Sequence, residues 1–481
     1  MSLRLRVLQS TVCLSAGQAL GQSLSFLRNV IVARLLSPED FGVAATFAIT
    51  VSLFEMLSDL SVEMLIIQAK DGDDPRLQAT AQAFQSLRGS LCGLFTAALA
   101  WPIALLFSTP EAVWAYVLLG LVPVFRGLAH LDVGRLQREM RFGPAVITQV
   151  GSQLAAVLAA WPLARWLGDW SAMLWIVLIQ SAVLAVLSHI VARRRYVWGW
   201  DRTQLRRLLT FGWPLLVNGV LMFGVFQGDR VIVGGLFSKP DLALYSVVFS
   251  TAFVVPTLLG SISLSLMLPL FASVQDAPDR LRSRYALAIQ SFALVAGVFA
   301  VTFVALGPWL IGLVFGPPYG DAPLLVGWIG LMQAARLLRL PPTTAALACG
   351  DTMNSMVANI ARIAAVPVLL VAVLAGASLE TVAAIGLLGE FAGFMIAVIR
   401  QSRRQGLAVH ISLVPAAAIA GIVAVVCYPP MSSHLSLSTG LSLSSVGLLA
   451  IAVISLSFAT LRSESARWAA ALFARSVGRV Y

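Results

Sequence analysis

The chain has 481 residues, of which 59% are hydrophobic and only 11% charged, with a formal net charge of +11. Because ordinary soluble domains have about a quarter of their residues charged, this composition excludes a water-soluble globular protein. Apolar runs of about 20 residues, the length that crosses about 30 Å of hydrocarbon, recur along the chain. They lack the strict alternation of a transmembrane β-barrel. We therefore predict an all-α, polytopic membrane protein.

Polar and proline-containing connections divide these runs into about fourteen predicted transmembrane helices. The first is predicted to be a retained span rather than a signal peptide, because it contains Gln18, Gln22 and Arg28 and no small-residue cleavage site follows it. The predicted spans lie at 12–34, 41–67, 84–108, 111–130, 144–166, 171–192, 213–236, 242–272, 286–315, 322–347, 354–376, 379–399, 411–429 and 440–461.

The positive charges predict the orientation of the spans. Lys and Arg concentrate in alternate connections, most densely in 193–212, whereas connections such as SPED from Ser37 and GPPYGD from Gly316 lack them. By the positive-inside rule, the basic side is cytoplasmic, both termini are cytoplasmic, and the number of spans is even. The net charge therefore reflects orientation in the membrane rather than nucleic-acid binding.

An internal repeat predicts two halves. VIVARLLSPEDFGVA begins at Val30 and VIVGGLFSKPDLALY begins at Val231, an offset of 201 residues. Six spans separate the copies, so both halves have the same orientation, as in transporters whose halves surround a central cavity. The predicted domains are an N-terminal six-helix lobe, a cytoplasmic basic linker, a C-terminal six-helix lobe, and two additional helices with a basic cytoplasmic tail, at 1–192, 193–212, 213–400 and 401–481.

The first span carries a polar stripe. Gln18, Gln22, Ser25 and Asn29 recur at spacings of three and four residues, which places them on one helical face. A stripe of this kind is disfavoured against lipid, so we predict that it lines a cavity. The alternative is hydrogen bonding between helices.

Acidic side chains within the membrane are candidates for ion coupling. Glu55, Asp59 and Glu63 lie at i, i+4 and i+8, on one face of the second predicted span. They are expected to be neutralised by arginines or to be protonated, as carriers of a coupling ion are. Structural ion pairing is the alternative. Asp229 is a further candidate, either for coupling or for a local pair with Arg230.

Arginines within the spans are candidates for binding an anion. Arg336 and Arg339 share a face and precede Pro341 and Pro342, which are predicted to break the tenth helix. The five candidates are Arg28, Arg230, Arg336, Arg339 and Arg362. For Arg28 and Arg230, the alternative is that the side chain snorkels to the outer face. Three further arginines lie near cytoplasmic ends, where they can snorkel to the headgroups, and are rated lower: Arg88, Arg126 and Arg400.

Other functions fit the sequence less well. The four cysteines and four histidines are scattered without the spacing of a metal site, so we predict neither metal nor cofactor. The outer connections are short and carry few acids, which argues against an enzyme. A channel filter and a Walker A motif are both absent from the sequence. A secondary transporter remains.

Three segments carry a resemblance to a known family. They are FLRNVIVARLLSPEDFGVAATF from Phe26, GRLQREMRF from Gly134, and FGWPLLVNGVLMFGVFQGDRVIVGGLFSKPDLALYSVV from Phe211. The chain resembles Wzx-type flippases of the multidrug/oligosaccharidyl-lipid/polysaccharide (MOP) superfamily, in the exopolysaccharide and colanic-acid exporter branch.

The resemblance implies two six-helix lobes around a cationic cavity, plus two C-terminal helices. It implies an undecaprenyl-diphosphate-linked oligosaccharide as substrate, moved from the cytoplasmic to the periplasmic leaflet of a bacterial inner membrane by alternating access and driven by a proton or sodium gradient. Membrane lipid, a polysaccharide polymerase and glycosyltransferases are the expected partners. A peptidoglycan-precursor (lipid II) flippase and a drug/cation antiporter of the same superfamily are the alternatives.

Overall fold

The computed structural model describes residues 3–58, 60–432, 436–456 and 458, and within these ranges the regular elements are all helical. Asp59 and the basic tail beyond residue 458 lie outside the described residues. The chain divides into two compact units, Met1–Ser246 and Val247–Tyr481, here called unit 1 and unit 2.

Unit 1 contains long helices interrupted by short ones. It also includes the first turns of α12, which continues into unit 2. The helices of this part are α1 (Leu3–Leu35), α2 (Pro38–Ser58), α3 (Val62–Gln68), α4 (Pro75–Ala98), α5 (Ala100–Leu106), α6 (Val113–Leu119), α7 (Leu121–Gly127), α8 (Asp132–Arg138), α9 (Gly143–Leu167), α10 (Ser171–Val191), α11 (Arg202–Leu236) and α12 (Lys239–Ile262).

Unit 2 continues from α12 through a π-helical turn at Ser263–Met267. Its remaining helices are α13 (Leu268–Ala272), α14 (Pro278–Phe315), α15 (Pro323–Ala348), α16 (Met353–Ile363), α17 (Ala365–Leu374), α18 (Leu379–Gln405), α19 (His410–Ser432) and α20 (Leu437–Ser455).

The helices have the length and composition of membrane spans. Within the described residues, nine are long and apolar enough to cross a membrane, and two bent helix pairs raise that number to eleven. The three other predicted spans, 12–34, 41–67 and 322–347, correspond to α1, to α2 with α3, and to α15. The chain is therefore an all-helical, multi-pass membrane protein, and the structure is consistent with fourteen spans.

The two copies of the repeat form the same turn. In the first copy, α1 ends at Leu35 and α2 begins at Pro38. In the second copy, α11 ends at Leu236 and α12 begins at Lys239, so both positions are offset by 201 residues. In the first copy, Ser37 Oγ donates to Asp40 and accepts from the Asp40 backbone N–H. Ser238 and Asp241 make the same two bonds in the second copy. The sequence repeat is thus a repeat of capped helix starts.

The second predicted span is broken, which corrects the expectation of one acidic face. α2 ends at Ser58 and α3 begins at Val62, with Ser61 in the left-handed region at φ 47°. A left-handed residue redirects the chain, so a periodicity of 3.6 residues does not continue across it. Glu55 and Glu63 consequently lie on different helices.

The tenth predicted span is unbroken, so the predicted break at Pro341 and Pro342 is wrong. α15 runs through both prolines to Ala348. The hydroxyl of Thr343 donates to the carbonyl oxygens of Arg339 and Leu340 at 2.9 and 3.0 Å, which supplies hydrogen bonds beside the prolines.

Of the predicted linker 193–212, only the residues up to 201 lie outside a helix. Asp201 caps α11 by accepting from the backbone N–H groups of Thr203 and Gln204, and the helix then continues to Leu236. The compact units divide between residues 246 and 247, because α11 packs along α2 within unit 1. A Cβ added to Gly219 of α11 would lie 2.2 Å from the Met56 carbonyl oxygen.

The two additional C-terminal helices belong to the core of unit 2. α19 and α20 both pack against α14. A Cβ added to Gly297 of α14 would lie 2.4 Å from Ile419 and 3.2 Å from Ile451, so this glycine permits close approach of both helices. The same apolar cluster includes Leu337 of α15. The added pair therefore packs beside the helix that carries the site described next.

Candidate functional site

Three arginines of unit 2 converge on one carboxylate. Arg336 of α15 donates from Nε and Nη2 to Glu390 Oε1 at 2.8 and 2.5 Å. Arg362 of α16 donates to the same oxygen. Arg339 lies one turn after Arg336, with its Nε 3.7 Å from Glu390 Oε2. These four side chains, here called the arginine cluster, are between 4 and 12% exposed.

Small residues of α18 permit this convergence. A Cβ added to Gly393 would lie 2.7 Å from Arg362 Cγ, and one added to Gly389 would lie 2.9 Å from Ala365. The two glycines flank Glu390, so α16 approaches α18 closely at the level of the carboxylate. On the other side of the cluster, the Arg336 guanidinium lies 5.1 Å from the ring centre of Phe253, within the range of a cation–π contact.

The arginine cluster contains three guanidinium groups and one carboxylate, an excess of two positive charges. Its hydrogen bonding is also incomplete. Glu390 Oε2 and Arg339 Nε are buried without a hydrogen bond, and both amide atoms of the fully buried Gln333 lack one, within the part of the chain that the structure describes. Buried polar groups normally bind a protein group, water or a ligand. The cluster therefore has the charge and the hydrogen-bonding capacity of an anion site.

The polar stripe of the first span supports Arg28 in unit 1. Arg28 Nη1 donates to Gln180 Oε1 of α10 at 2.7 Å. Its Nη2 donates to Ser25 Oγ at 3.4 Å and to Asn29 Oδ1 at 3.2 Å. Ser25 and Asn29 of the stripe thus bind Arg28 within α1, and Arg28 in turn makes the hydrogen bond to α10.

A cavity of about 580 Å³ lies within unit 1 and includes one residue of that stripe, Gln18. Gln22 is exposed. Gln137 of α8 donates to Glu63 at 2.9 Å beside the cavity. Four of the polar lining residues are glutamines, which offer both donors and acceptors. The main polar residues of the lining are Gln18, Glu63, Gln85, Arg88, Gln137 and Gln149.

The remaining predicted coupling residues have separate partners. Glu55 forms an ion pair with Arg126 of α7 at 2.7 Å, and both side chains are half-buried. Asp229 accepts a hydrogen bond from the Tyr245 hydroxyl at 2.7 Å and another from the backbone N–H of Arg230 at 2.8 Å. These acids belong to unit 1, whereas the arginine cluster belongs to unit 2.

A second polar network ties the basic connections of unit 1 together. Asp132 is fully buried and accepts hydrogen bonds from Arg135 Nε at 2.5 Å and from the backbone N–H groups of residues 193 and 194 at 2.7 and 3.2 Å. Arg207 pairs with both carboxylate oxygens of Asp71 at 2.6 and 2.8 Å. Hydrogen bonding from Arg207 lowers the pKa of Asp71. This network stabilises the start of α11.

Sequence reasoning selected all three arginines of the cluster and missed Glu390. The signal was available, because Glu390 lies in the predicted span 379–399 within the segment AIGLLGEFAGFM. An ionisable residue in such a run is a candidate by the same rule that selected the arginines. The pairing of Glu55 with Arg126 was not predictable, since it depends on how two spans pack.

Solved structures define the class of this fold. The chain resembles the lipid II flippase MurJ with a TM-score of 0.71 at 12% identity, over 92% of this chain and 98% of that one. It resembles a multidrug resistance MATE family transporter of the MOP superfamily with a TM-score of 0.65 at 16% identity, over 80% and 94%. The fold is therefore that of MOP-type membrane transporters, as predicted.

The sequence then places the chain within a family. Residues 31–322 match the model of the polysaccharide biosynthesis protein family, and the chain belongs to that family. It is 26% identical to the succinoglycan biosynthesis transport protein ExoT of Rhizobium meliloti, over 60% of this chain and 56% of that protein. It is 22% identical to the lipopolysaccharide biosynthesis protein WzxC of Escherichia coli, over 70% and 67%. These names and folds agree with the prediction of a transporter rather than an enzyme.

Proposed function

We propose that this protein moves undecaprenyl-diphosphate-linked oligosaccharide repeat units from the cytoplasmic to the periplasmic leaflet of a bacterial inner membrane. The movement is alternating access driven by a proton or sodium gradient, with both termini in the cytoplasm. Glycosyltransferases supply the lipid-linked unit, and a polymerase uses it for exopolysaccharide or lipopolysaccharide. The family and the transport role named for ExoT support a polysaccharide cargo.

The observation that carries the proposal is the charge of the arginine cluster. In a lipid-linked sugar, the diphosphate is esterified at both ends, so each phosphate keeps one negative charge. Those two charges match the excess of two positive charges on Arg336, Arg339 and Arg362 beside Glu390. Guanidinium groups bind phosphate oxygens through paired, charge-assisted hydrogen bonds. A site for cationic drugs would need the opposite sign.

The cavity within unit 1 supports the sugar portion of the cargo. Its lining includes the amides of Gln18, Gln85, Gln137 and Gln149. An amide donates through nitrogen and accepts through oxygen, so it matches a sugar hydroxyl, which does both. We assign the polar lining to sugar hydroxyls and the arginines to the diphosphate.

A deletion of the gene tests the proposal. We expect loss of surface polysaccharide together with accumulation of the lipid-linked repeat unit inside the cell, and restoration of both by the wild-type gene. Accumulation of the peptidoglycan precursor instead would identify a lipid II flippase. Normal surface polysaccharide with increased sensitivity to cationic drugs would identify an antiporter. Either of the last two results contradicts the proposed cargo.

A further inference from the structure

We infer that Glu390 is the resident counter-anion of the arginine cluster: it competes with the cargo's diphosphate for the three guanidinium groups and takes up a proton when the cargo displaces it. The inference rests on the proposed function, since it takes a diphosphate as the ligand. It assigns proton uptake on anion binding to an acid of unit 2, and it is separate from ion coupling, for which Glu55, Asp59, Glu63 and Asp229 of unit 1 stay the candidates.

The two oxygens of Glu390 are used unequally. Oε1 accepts hydrogen bonds from Arg336 Nε, Arg336 Nη2 and Arg362 Nη2. Oε2 is buried and accepts no hydrogen bond from the described residues, and its ion-pair partner Arg339 is 3.7 Å away. A proton on Oε2 would therefore break none of these hydrogen bonds. The carboxylate has a position for a proton while it stays in place.

Glu390 and a bound phosphate would compete for the same guanidinium N–H donors. Arg336 and Arg362 both direct N–H groups at Oε1, so a phosphate bound in the paired manner must take donors that Glu390 now uses. A carboxylate that loses cationic partners at a buried position is left with an uncompensated charge, which is strongly unfavourable. Protonation removes that charge. Anion binding and proton uptake are thus expected to occur together.

The ionisable groups that face Glu390 within the described part of the chain lie on two helices. Arg336 and Arg339 face it from α15, and Arg362 faces it from α16. α17, which packs on the same helix α18, contains only the apolar sequence AVPVLLVAVL. Among the described residues, Glu390 is the acid that pairs with these three arginines. It is therefore the group on which a proton would change the charge of the cluster.

The test measures protons taken up on binding. The full chain in lipid nanodiscs is titrated with P1-farnesyl P2-glucosyl diphosphate, a short-chain diphosphate diester, by calorimetry in buffers of different ionisation enthalpy. The wild type is expected to take up about one proton per ligand, and its affinity is expected to rise about tenfold for each unit fall in pH. Glu390→Gln is expected to bind without proton uptake and with an affinity that does not depend on pH.

A matched control is Glu380→Gln, in the first turn of the same helix about three turns away, which is expected to behave like the wild type. Binding by the wild type with no proton uptake overturns the inference, and so does unchanged uptake by Glu390→Gln. If Glu390→Gln fails to fold, the proton count of the wild type decides alone.

Different results would contradict the role of Glu390 and the proposed cargo. The gene deletion decides the cargo in the cell and does not depend on protons. Ligand binding without proton uptake removes the role of Glu390 and leaves the cargo assignment intact. Absence of ligand binding to the wild type overturns the inference as well, because the arginine cluster would then not be the anion site, whatever the deletion shows.

Discussion

Unit 1 and unit 2 neutralise their membrane charges in different ways. In unit 1, Glu55 pairs with Arg126, and Arg28 donates to the neutral amide of Gln180 and to its own helix. In unit 2, three arginines share the carboxylate of Glu390 and retain two excess positive charges. Excess charge that is buried costs free energy unless another anion compensates it.

The pair in unit 1 has the features of a structural ion pair, whereas the arginine cluster has the features expected of an anion-binding site. In the pair of Glu55 with Arg126, one negative charge neutralises one positive charge. The arginine cluster is incomplete, and Gln333 beside it has an amide without hydrogen bonds among the described residues. We therefore expect substitutions in the cluster to affect transport most, and substitutions in the buried network of unit 1 to affect stability.

The largest effect is expected from the double substitution Arg336→Ala with Arg339→Ala. It removes two of three guanidinium groups, and charge-assisted hydrogen bonds contribute about 1.5 to 3 kcal/mol each, so export should fall more than about a hundredfold. The measurement is surface polysaccharide in a deletion strain that carries the variant, with its membrane content followed by immunoblot. Arg403→Ala with Arg404→Ala, exposed at the end of α18, is the control. Wild-type export by the double variant would remove these arginines from the site.

A smaller effect, on stability, is expected from Asp132→Ala in unit 1. The substitution leaves Arg135 and the backbone N–H groups of residues 193 and 194 without their buried acceptor, which should cost about 2 kcal/mol. The matched control is Asp73→Ala, whose side chain is 64% exposed in the same network and should cost under about 1 kcal/mol. Thermal unfolding of both purified variants in one detergent is the measurement. Equal melting temperatures would contradict the difference in burial.

The smallest effect is expected from Gly219→Ala, which tests the packing that places α11 in unit 1. The added methyl group would lie 2.2 Å from the backbone oxygen of Met56, so α2 and α11 must separate, at a cost of about 1 kcal/mol. Gly421→Ala in α19 has nothing within 4 Å of the added carbon and should leave the melting temperature unchanged or slightly higher. If the two variants melt alike, the close contact between α2 and α11 is absent in solution.

Some local features of the fold could be recognised from the sequence, and others could not. The repeat at Val30 and Val231 was visible in the sequence, and both copies form the same turn because Ser and Asp at a spacing of three cap a helix start in each. The break between α2 and α3 was missed, since the apolar residues on both sides of the left-handed Ser61 form one continuous run in the sequence. Pro341 and Pro342 predicted a break, but α15 continues through both prolines to Ala348.

The sequence by itself determined the membrane environment, the helices and the candidate arginines, which were selected because they lie within apolar spans. These depend on hydrophobic length, helical period and the cost of a charge in hydrocarbon, which are local properties. Only the tertiary structure decided that Arg336, Arg339 and Arg362 meet at Glu390, and that Glu55 meets Arg126 instead. Ion pairs between helices depend on rotation and packing, which the glycines at 389 and 393 control at close range.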